Sequence, residues 1–265
     1  MTLVRVAHAT ARLDALGELL DLASRAARES GATGEGEHDV RLAAEEVLIN
    51  VINHAYPAGP PGPLTFRARV EPGALTLTVL DEGRPFPPDL APPPDLTANW
   101  EDRRVGGLGW HLVGKLMDVV RHRALGDAGN ELTMIKRFGH PGSPSSTGRE
   151  QAIMQIEVER RGTVTVATVN GNVDGMTSAE LNRVLGGEVA AGGHRLVVSL
   201  AGVDYTSSAG LRVLLAVVKE ARGLGGDVCL AAVRDNVRKV LELSGFTSIL
   251  KLFPDVDAAV ASYGS

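Results

Sequence analysis

The sequence predicts two α/β domains joined by a flexible linker, and three observations lead there. The 265 residues exceed what one ordinary core organises, since domains run to about 100–200 residues. Strand-like and helix-like periodicities recur on both sides of the middle of the chain. Between them lies the run GHPGSPSSTGR, rich in Gly, Pro and Ser and without any period. The expected organisation is a first domain over residues 1–138, a linker over 139–150 and a second domain over 151–265.

Element by element, residues 2–9 alternate like a strand. Over residues 12–30, Leu13, Leu16, Leu20, Ala23 and Ala27 recur at helical spacing. A Gly-rich turn over 31–36 precedes a second helix over 37–55, which Pro57 and the Pro/Gly cluster behind it stop. Residues 64–70 and 74–81 read as a hairpin around Glu71-Pro72-Gly73. Prolines then dissolve the pattern from 82 to 105, and a loop this long inside a compact domain suits a lid over a ligand. Gly106–Gly109 opens a helix to about Met117, and strands over 119–125 and 131–138 close the domain. In the second domain, strands over 153–160 and 163–170 precede alternating helix (178–190), strand (195–200), helix (209–222) and strand (228–232). Helices near 236–244 and 255–263 finish it, and this alternation implies parallel pairs with covering helices.

Composition narrows the function classes. Apolar residues make up 44% and charged residues 22%, as in ordinary globular proteins. A net charge of −5 argues against nucleic acid as the main partner. No apolar run approaches the roughly 20 residues of a membrane span, and the amino terminus lacks the features of a signal peptide, so the expectation is a cytoplasmic protein. The one cysteine, Cys229, sits in an apolar stretch and reads as a buried thiol.

Two constellations carry chemistry. On a wheel of the helix over 37–55, Val40, Ala44, Val47 and Val51 read as one side, with Glu46, Asn50, Asn53 and His54 opposite. An amide oxygen there suits Mg²⁺, and a carboxylate one turn away suits proton acceptance; a solvated polar face fits the same helix taken alone. Asp81-Glu82-Gly83 ends a strand, where the acid can accept from an exocyclic amine and the glycine admits a base. Gly107-Leu108-Gly109 opens a helix whose backbone N–H groups suit phosphates. Thr133 lies in the closing strand, within expected reach of Asp81. In the second domain, Ser207 and Ser208 occupy a strand-to-helix turn, where a serine either caps the helix or holds a phosphate favoured by the helix dipole.

Taken together, Glu46-Val-Leu-Ile-Asn50-Val-Ile-Asn-His54, Asp81-Glu-Gly83, Gly107-Leu-Gly109-Trp-His-Leu and Asn130-Glu-Leu-Thr133 resemble the four boxes of the GHKL ATPase superfamily, and within it the bacterial anti-sigma-factor serine kinases. The resemblance spans residues 1–138 and implies an α/β sandwich with a mixed, largely antiparallel sheet that binds Mg-ATP. It implies Asn50 as Mg²⁺ ligand, Glu46 rather than Glu45 as general base, and Asp81 as adenine reader. Gly83, Gly107 and Gly109 would line the nucleotide, Thr133 would support Asp81, and His54 would pack or ligate. Val203-Asp204-Tyr-Thr-Ser-Ser-Ala-Gly-Leu-Arg-Val-Leu-Leu215, with the flanking Val169–Asp174 and Val240–Phe246 segments, resembles the STAS domain of anti-sigma-factor antagonists over residues 151–265. The implied phosphoacceptor is Ser208, with Ser207 second; Ser207 stands where the family pattern has an acid and Ala209 where it has a second hydroxyl. These resemblances imply a serine kinase acting on a STAS antagonist, its own or a partner's, in a pathway that ends on a sigma factor or another regulatory protein. The alternative is a non-catalytic ATP/ADP switch. Docking between chains, as a homodimer, is one arrangement such a tether allows.

Overall fold

The computed structural model describes residues 2–57, 59–85, 107–138 and 154–264. The expected linker lies outside these residues, as does the expected lid from residue 86 to 105. The chain divides into two compact units.

The first unit is built from β1 (Leu3–Thr10), α1 (Leu13–Glu29), α2 (Gly34–His54), β2 (Pro63–Glu71), β3 (Ala74–Asp81), α3 (Leu108–Leu116), β4 (Val119–Ala124) and β5 (Asn130–Arg137). Its sheet runs β1-β2-β3-β5-β4, and each pairing is antiparallel. Alternation decides which face is buried: Leu64, Phe66, Ala68 and Val70 of β2, with Leu75, Leu77 and Val79 of β3, all lie in the core. Leu16, Leu20 and Ala23 of α1 and Val40, Ala44 and Val47 of α2 are buried with them. The β2–β3 turn is the one the sequence announces, with Glu71 opposite Ala74 and Gly73 at φ +76 behind Pro72.

Helix α2 begins three residues earlier than its pattern suggests. Thr33 takes the N-cap position, and Glu35 and Glu37 place negative charge in the first turn, where the helix dipole favours it. Gly36 is therefore helical, and a Cβ there would meet the Phe138 ring at 3.1 Å. That glycine serves packing rather than a turn. Lys136 of β5 ties the layers together, donating from Nζ to Asp39 Oδ2 of α2 at 3.0 Å and to the Leu116 carbonyl at the end of α3 at 2.7 Å.

The second unit contains β6 (Gln155–Arg161), β7 (Val164–Asn170), α4 (Ser178–Ala190), β8 (Arg195–Gly202), α5 (Ser208–Gly223), β9 (Asp227–Ala231), α6 (Asp235–Leu243), β10 (Lys251–Phe253) and α7 (Val256–Ala261). The order is β10-β9-β8-β7-β6, with β6–β7 antiparallel and the other pairs parallel, so the sheet is mixed as expected. Strand β10 is an addition to the expected elements. Its three residues are too few to display a period, and only the neighbouring β9 defines them. Cys229 is buried in β9, as its setting predicts, and burial pushes its thiol up. No described helix is long and apolar enough to cross a membrane.

Candidate functional site

In the first unit, α2 and the sheet enclose a pocket. Helix α2 contributes Val47, Asn50, Val51 and His54 to its wall; β3 contributes Val79 and Asp81, β5 contributes Asn130 and Leu132, and Trp110 in the first turn of α3 contributes another part. This corrects the helical wheel. The apolar and polar residues there are neighbours on one arc: roughly 40° separates Val47 from Val51 and Asn50 from His54, and His54 falls beside Val47. The polar side is not solvated along its whole length: Glu46 is buried and Asn50 half-buried, whereas Asn53 and His54 are exposed. Asn50 is half-buried at the pocket wall. Glu46, one turn earlier and about 40° from Asn50 on the wheel, is buried at 5% exposure. Glu45 is buried too, but about 140° from Asn50.

Asp81 is held at the wall of this pocket by a backbone and an amide donor. Its Oδ1 accepts from the Gly83 N–H at 2.9 Å and from Asn130 Nδ2 at 3.0 Å. Asn130 Nδ2 also donates to the Arg84 carbonyl at 3.0 Å, and Asn130 Oδ1 lies 3.1 Å from His122 Nε2 of β4. Asn130 reaches Asp81 because the two residues face each other in the β3–β5 register.

That register also overturns the expectation for Thr133. It pairs with Thr78, three positions from Asp81, and belongs to the partly exposed set of β5 while Asn130, Leu132 and Met134 form the buried set. Period-two alternation sends its hydroxyl to the other face of the sheet. Thr133 does not support Asp81; Asn130 does. The signal available in the sequence was the Leu132/Met134 alternation, which places Asn130 on the inner face.

The turn after β3 is fixed to the end of α2. Gly83 is buried against Ala55, where a Cβ would fall 2.5 Å from the Ala55 Cβ. Arg84 N–H donates to the Ala55 carbonyl at 3.0 Å, and Arg84 Nε to the His54 carbonyl at 3.2 Å. The Tyr56 hydroxyl accepts from the Glu82 N–H at 2.9 Å and donates to the Pro63 carbonyl at 2.6 Å. Burial raises the Tyr56 phenol above its usual range, which keeps it a donor. Gly129 adds a close approach of its own, at φ +93 with a Cβ position 1.9 Å from the Asp81 carbonyl oxygen. Both glycines are therefore demanded by backbone proximity, whatever ligand the pocket takes.

Gly107 takes φ +82 at the N-cap of α3, and its carbonyl accepts the first helical bond, from His111 N–H at 3.1 Å. Gly109 is buried in the first turn. The N-cap Gly107 has no side chain with which to cap this helix, and backbone N–H groups at a helix start of this kind suit an anion. Asn50 at the pocket wall carries an amide oxygen, a ligand type that suits a hard cation such as Mg²⁺.

In the second unit, Ser207 is the N-cap of α5, and its hydroxyl accepts from the Ala209 N–H at 3.3 Å. Ser208 is the first helical residue. Both are buried, at 1% exposure. Ser207 N–H donates to the Val173 carbonyl at 2.9 Å, and Val173 bridges Thr206, so the β7–α4 loop lies alongside the turn. Of the two roles that the sequence left open, capping falls to Ser207.

Comparison with known proteins follows the same division. Residues 9–136 match the family model of the histidine kinase-like ATPase domain, and residues 155–259 match that of the STAS domain. Over 110 residues the chain is 34% identical to the putative anti-sigma factor antagonist BtrV of Bordetella bronchiseptica, covering 42% of this chain and 95% of that protein. Over 114 residues it is 32% identical to the serine-protein kinase RsbW of Halalkalibacterium halodurans, covering 42% of this chain and 68% of the relative. The serine/threonine-protein kinase BtrW of Bordetella bronchiseptica is 29% identical over 93 residues, 35% of this chain and 65% of that one.

Proposed function

Because the chain belongs both to the histidine kinase-like ATPases of the anti-sigma-factor serine-kinase group and to the STAS anti-sigma-factor antagonists, we propose that it is an ATP-dependent protein serine kinase joined to an antagonist domain of the type it phosphorylates. The observation that carries this reading is the convergence of Asn50 and the braced Asp81 on one pocket whose wall includes the first turn of α3.

In this reading Asp81 accepts the exocyclic amine of adenine. The N–H groups opening α3 and the backbone at Gly107 and Gly109 hold phosphate oxygens. Asn50 supplies an oxygen to Mg²⁺, which would neutralise phosphate charge when bound. Glu46 accepts the proton of the serine hydroxyl as its oxygen bonds to the γ-phosphorus; the bond to the bridging β–γ oxygen breaks and ADP leaves. The acceptor is Ser208, in this chain or in a partner STAS protein, and phosphorylation sets which partner the chain holds. The pathway would control a sigma factor or another regulatory protein in the cytoplasm.

Burial of Ser208 favours a second reading, a switch that binds ATP or ADP without transferring phosphate. Incubation of the full chain with labelled ATP and Mg²⁺ separates the two. Phosphotransfer predicts label on the peptide with Ser207 and Ser208, lost in Glu46→Ala and Ser208→Ala. ATP bound without label on this chain or on an added STAS protein would leave only the switch.

A further inference from the structure

Asn130 is hydrogen-bonded in a way that has only one polarity. Its Nδ2 carries two hydrogens and faces two acceptors, Asp81 Oδ1 and the Arg84 carbonyl, each at 3.0 Å. Rotating the amide by half a turn would set its oxygen against both of them, so the orientation follows from the partners. Asn130 Oδ1 is then the atom that faces His122 Nε2 at 3.1 Å, and an amide oxygen can only accept. His122 therefore carries a proton on Nε2 and donates. The chain of donors runs from His122 to Asn130 to Asp81.

This arrangement fixes one oxygen of Asp81. With Gly83 N–H and Asn130 Nδ2 both on Oδ1, the carboxylate cannot turn about its own axis without breaking two hydrogen bonds. Among the described residues no donor is recorded on Oδ2, and Asp81 belongs to the pocket wall. His122 and Asn130 line the same pocket, and the Arg84 carbonyl that Asn130 also holds belongs to the turn pinned on Ala55.

We propose that Asn130 and His122 are positioning residues that set the base specificity of Asp81. The inference rests on the nucleotide reading above and names what makes it selective. A fixed acceptor accepts the 6-amino group of adenine and opposes the 6-oxo group of guanine, which presents a second acceptor at the same place. A carboxylate free to rotate, or to bind water in place of the base, discriminates less. Asn130 acts directly on Asp81; His122 acts on it through Asn130 by consuming the amide oxygen.

The test uses the full chain and measures ATP and GTP dissociation constants by calorimetry with Mg²⁺ present, for wild type, Asn130→Ala, His122→Phe and His122→Gln. Loss of one hydrogen bond to a charged group predicts roughly a tenfold or larger fall in the ATP-over-GTP preference in Asn130→Ala. His122→Phe should show a fall of the same sign and smaller size, and His122→Gln, which keeps a side-chain donor, should recover part of it. A purely structural role would lower both affinities together and leave their ratio unchanged, so an unchanged ratio in the two loss variants overturns the proposal. If Asn130→Ala loses its thermal transition, the His122 pair decides. A wild type that binds neither nucleotide would instead overturn the nucleotide reading itself, whereas a selective wild type with unchanged variants overturns only the role of Asn130 and His122.

Discussion

Ser207 and Ser208 are adjacent, equally buried and chemically alike, yet Ser207 is the one that caps α5, and the pair Ser207→Ala and Ser208→Ala tests whether the proposed acceptor is the other. The Ser207 hydroxyl accepts from the Ala209 N–H, which belongs to the first turn of α5 and has no intrahelical acceptor. Truncation leaves that N–H without its partner in a site 1% exposed, so the cost falls within the usual range for an N-cap serine, about 1 kcal/mol. For a unit of roughly a hundred residues, a loss of that size lowers the midpoint by about 4–8 °C. The Ser207 backbone bond to Val173 is untouched by the change, which keeps the effect local. Thermal melts of the full chain should show the shift in one transition only, that of the STAS unit. Phosphate mapping after incubation with Mg-ATP, or with a kinase of the same family, should find the label retained in Ser207→Ala and lost in Ser208→Ala. A Ser207→Ala chain that melts like wild type and loses its label would refute the division, because the cap and the acceptor would then be exchanged.

Other consequences are open to equally direct measurement. Asn50→Ala should abolish the Mg²⁺ dependence of ATP binding, and Asp81→Asn, which sets an amide donor where adenine needs an acceptor, should reduce preference for ATP over GTP; isothermal calorimetry in the presence and absence of Mg²⁺ reads both. Lys136→Met removes a donor to the Asp39 carboxylate, 4% exposed, and frees the Leu116 carbonyl, so the first unit should lose about 1–3 kcal/mol in a urea titration, with part regained on adding Asp39→Leu. Cys229 is 1% exposed and burial raises its thiol, so a thiol reagent at neutral pH should label the native chain only at the rate at which the STAS unit opens, and denaturant should accelerate labelling sharply.

Much of this architecture is legible in the sequence because its signals are local. The α1 and α2 periodicities, the Pro72-Gly73 turn and the glycine that opens α3 each declare themselves within a few residues. The Asp81–Asn130 contact does not, because 49 positions separate its members and only strand register brings them together. Thr133 was misplaced for the same reason: which residues share the inner face of β5 depends on parity against β3, and an error of one position moves a side chain to the other face. The wheel of α2 failed differently. It sets the polar residues opposite the apolar ones, whereas Asn50 and His54 border the same pocket as Val47 and Val51, and Glu46 is buried. The burial of Ser208 is likewise invisible to sequence, since a serine at a helix start reads the same whether the turn is open or covered.

That burial shapes how the proposed modification would behave. Ser208, 1% exposed, cannot meet a phosphate donor until the start of α5 opens, so transfer would draw on the fraction of chains in which the turn has opened. An opening that costs about 3 kcal/mol leaves that fraction at roughly one in a hundred or fewer, and slows transfer in proportion. A partner that binds the opened turn raises the fraction by as much as its affinity for the open form exceeds that for the closed one. After transfer the argument reverses. A phosphoserine carries about −1.5 to −2 charges, which the helix dipole favours but which cannot be returned to a dry site without a larger desolvation cost. The modified turn would therefore be held open, giving the chain two states from a single local equilibrium. Amide exchange at Ala209, Gly210 and Leu211 reads this directly: protection should be high in the unmodified chain and fall on phosphorylation or in Ser208→Asp, and equal protection in all three would mean that the charge is accommodated without opening.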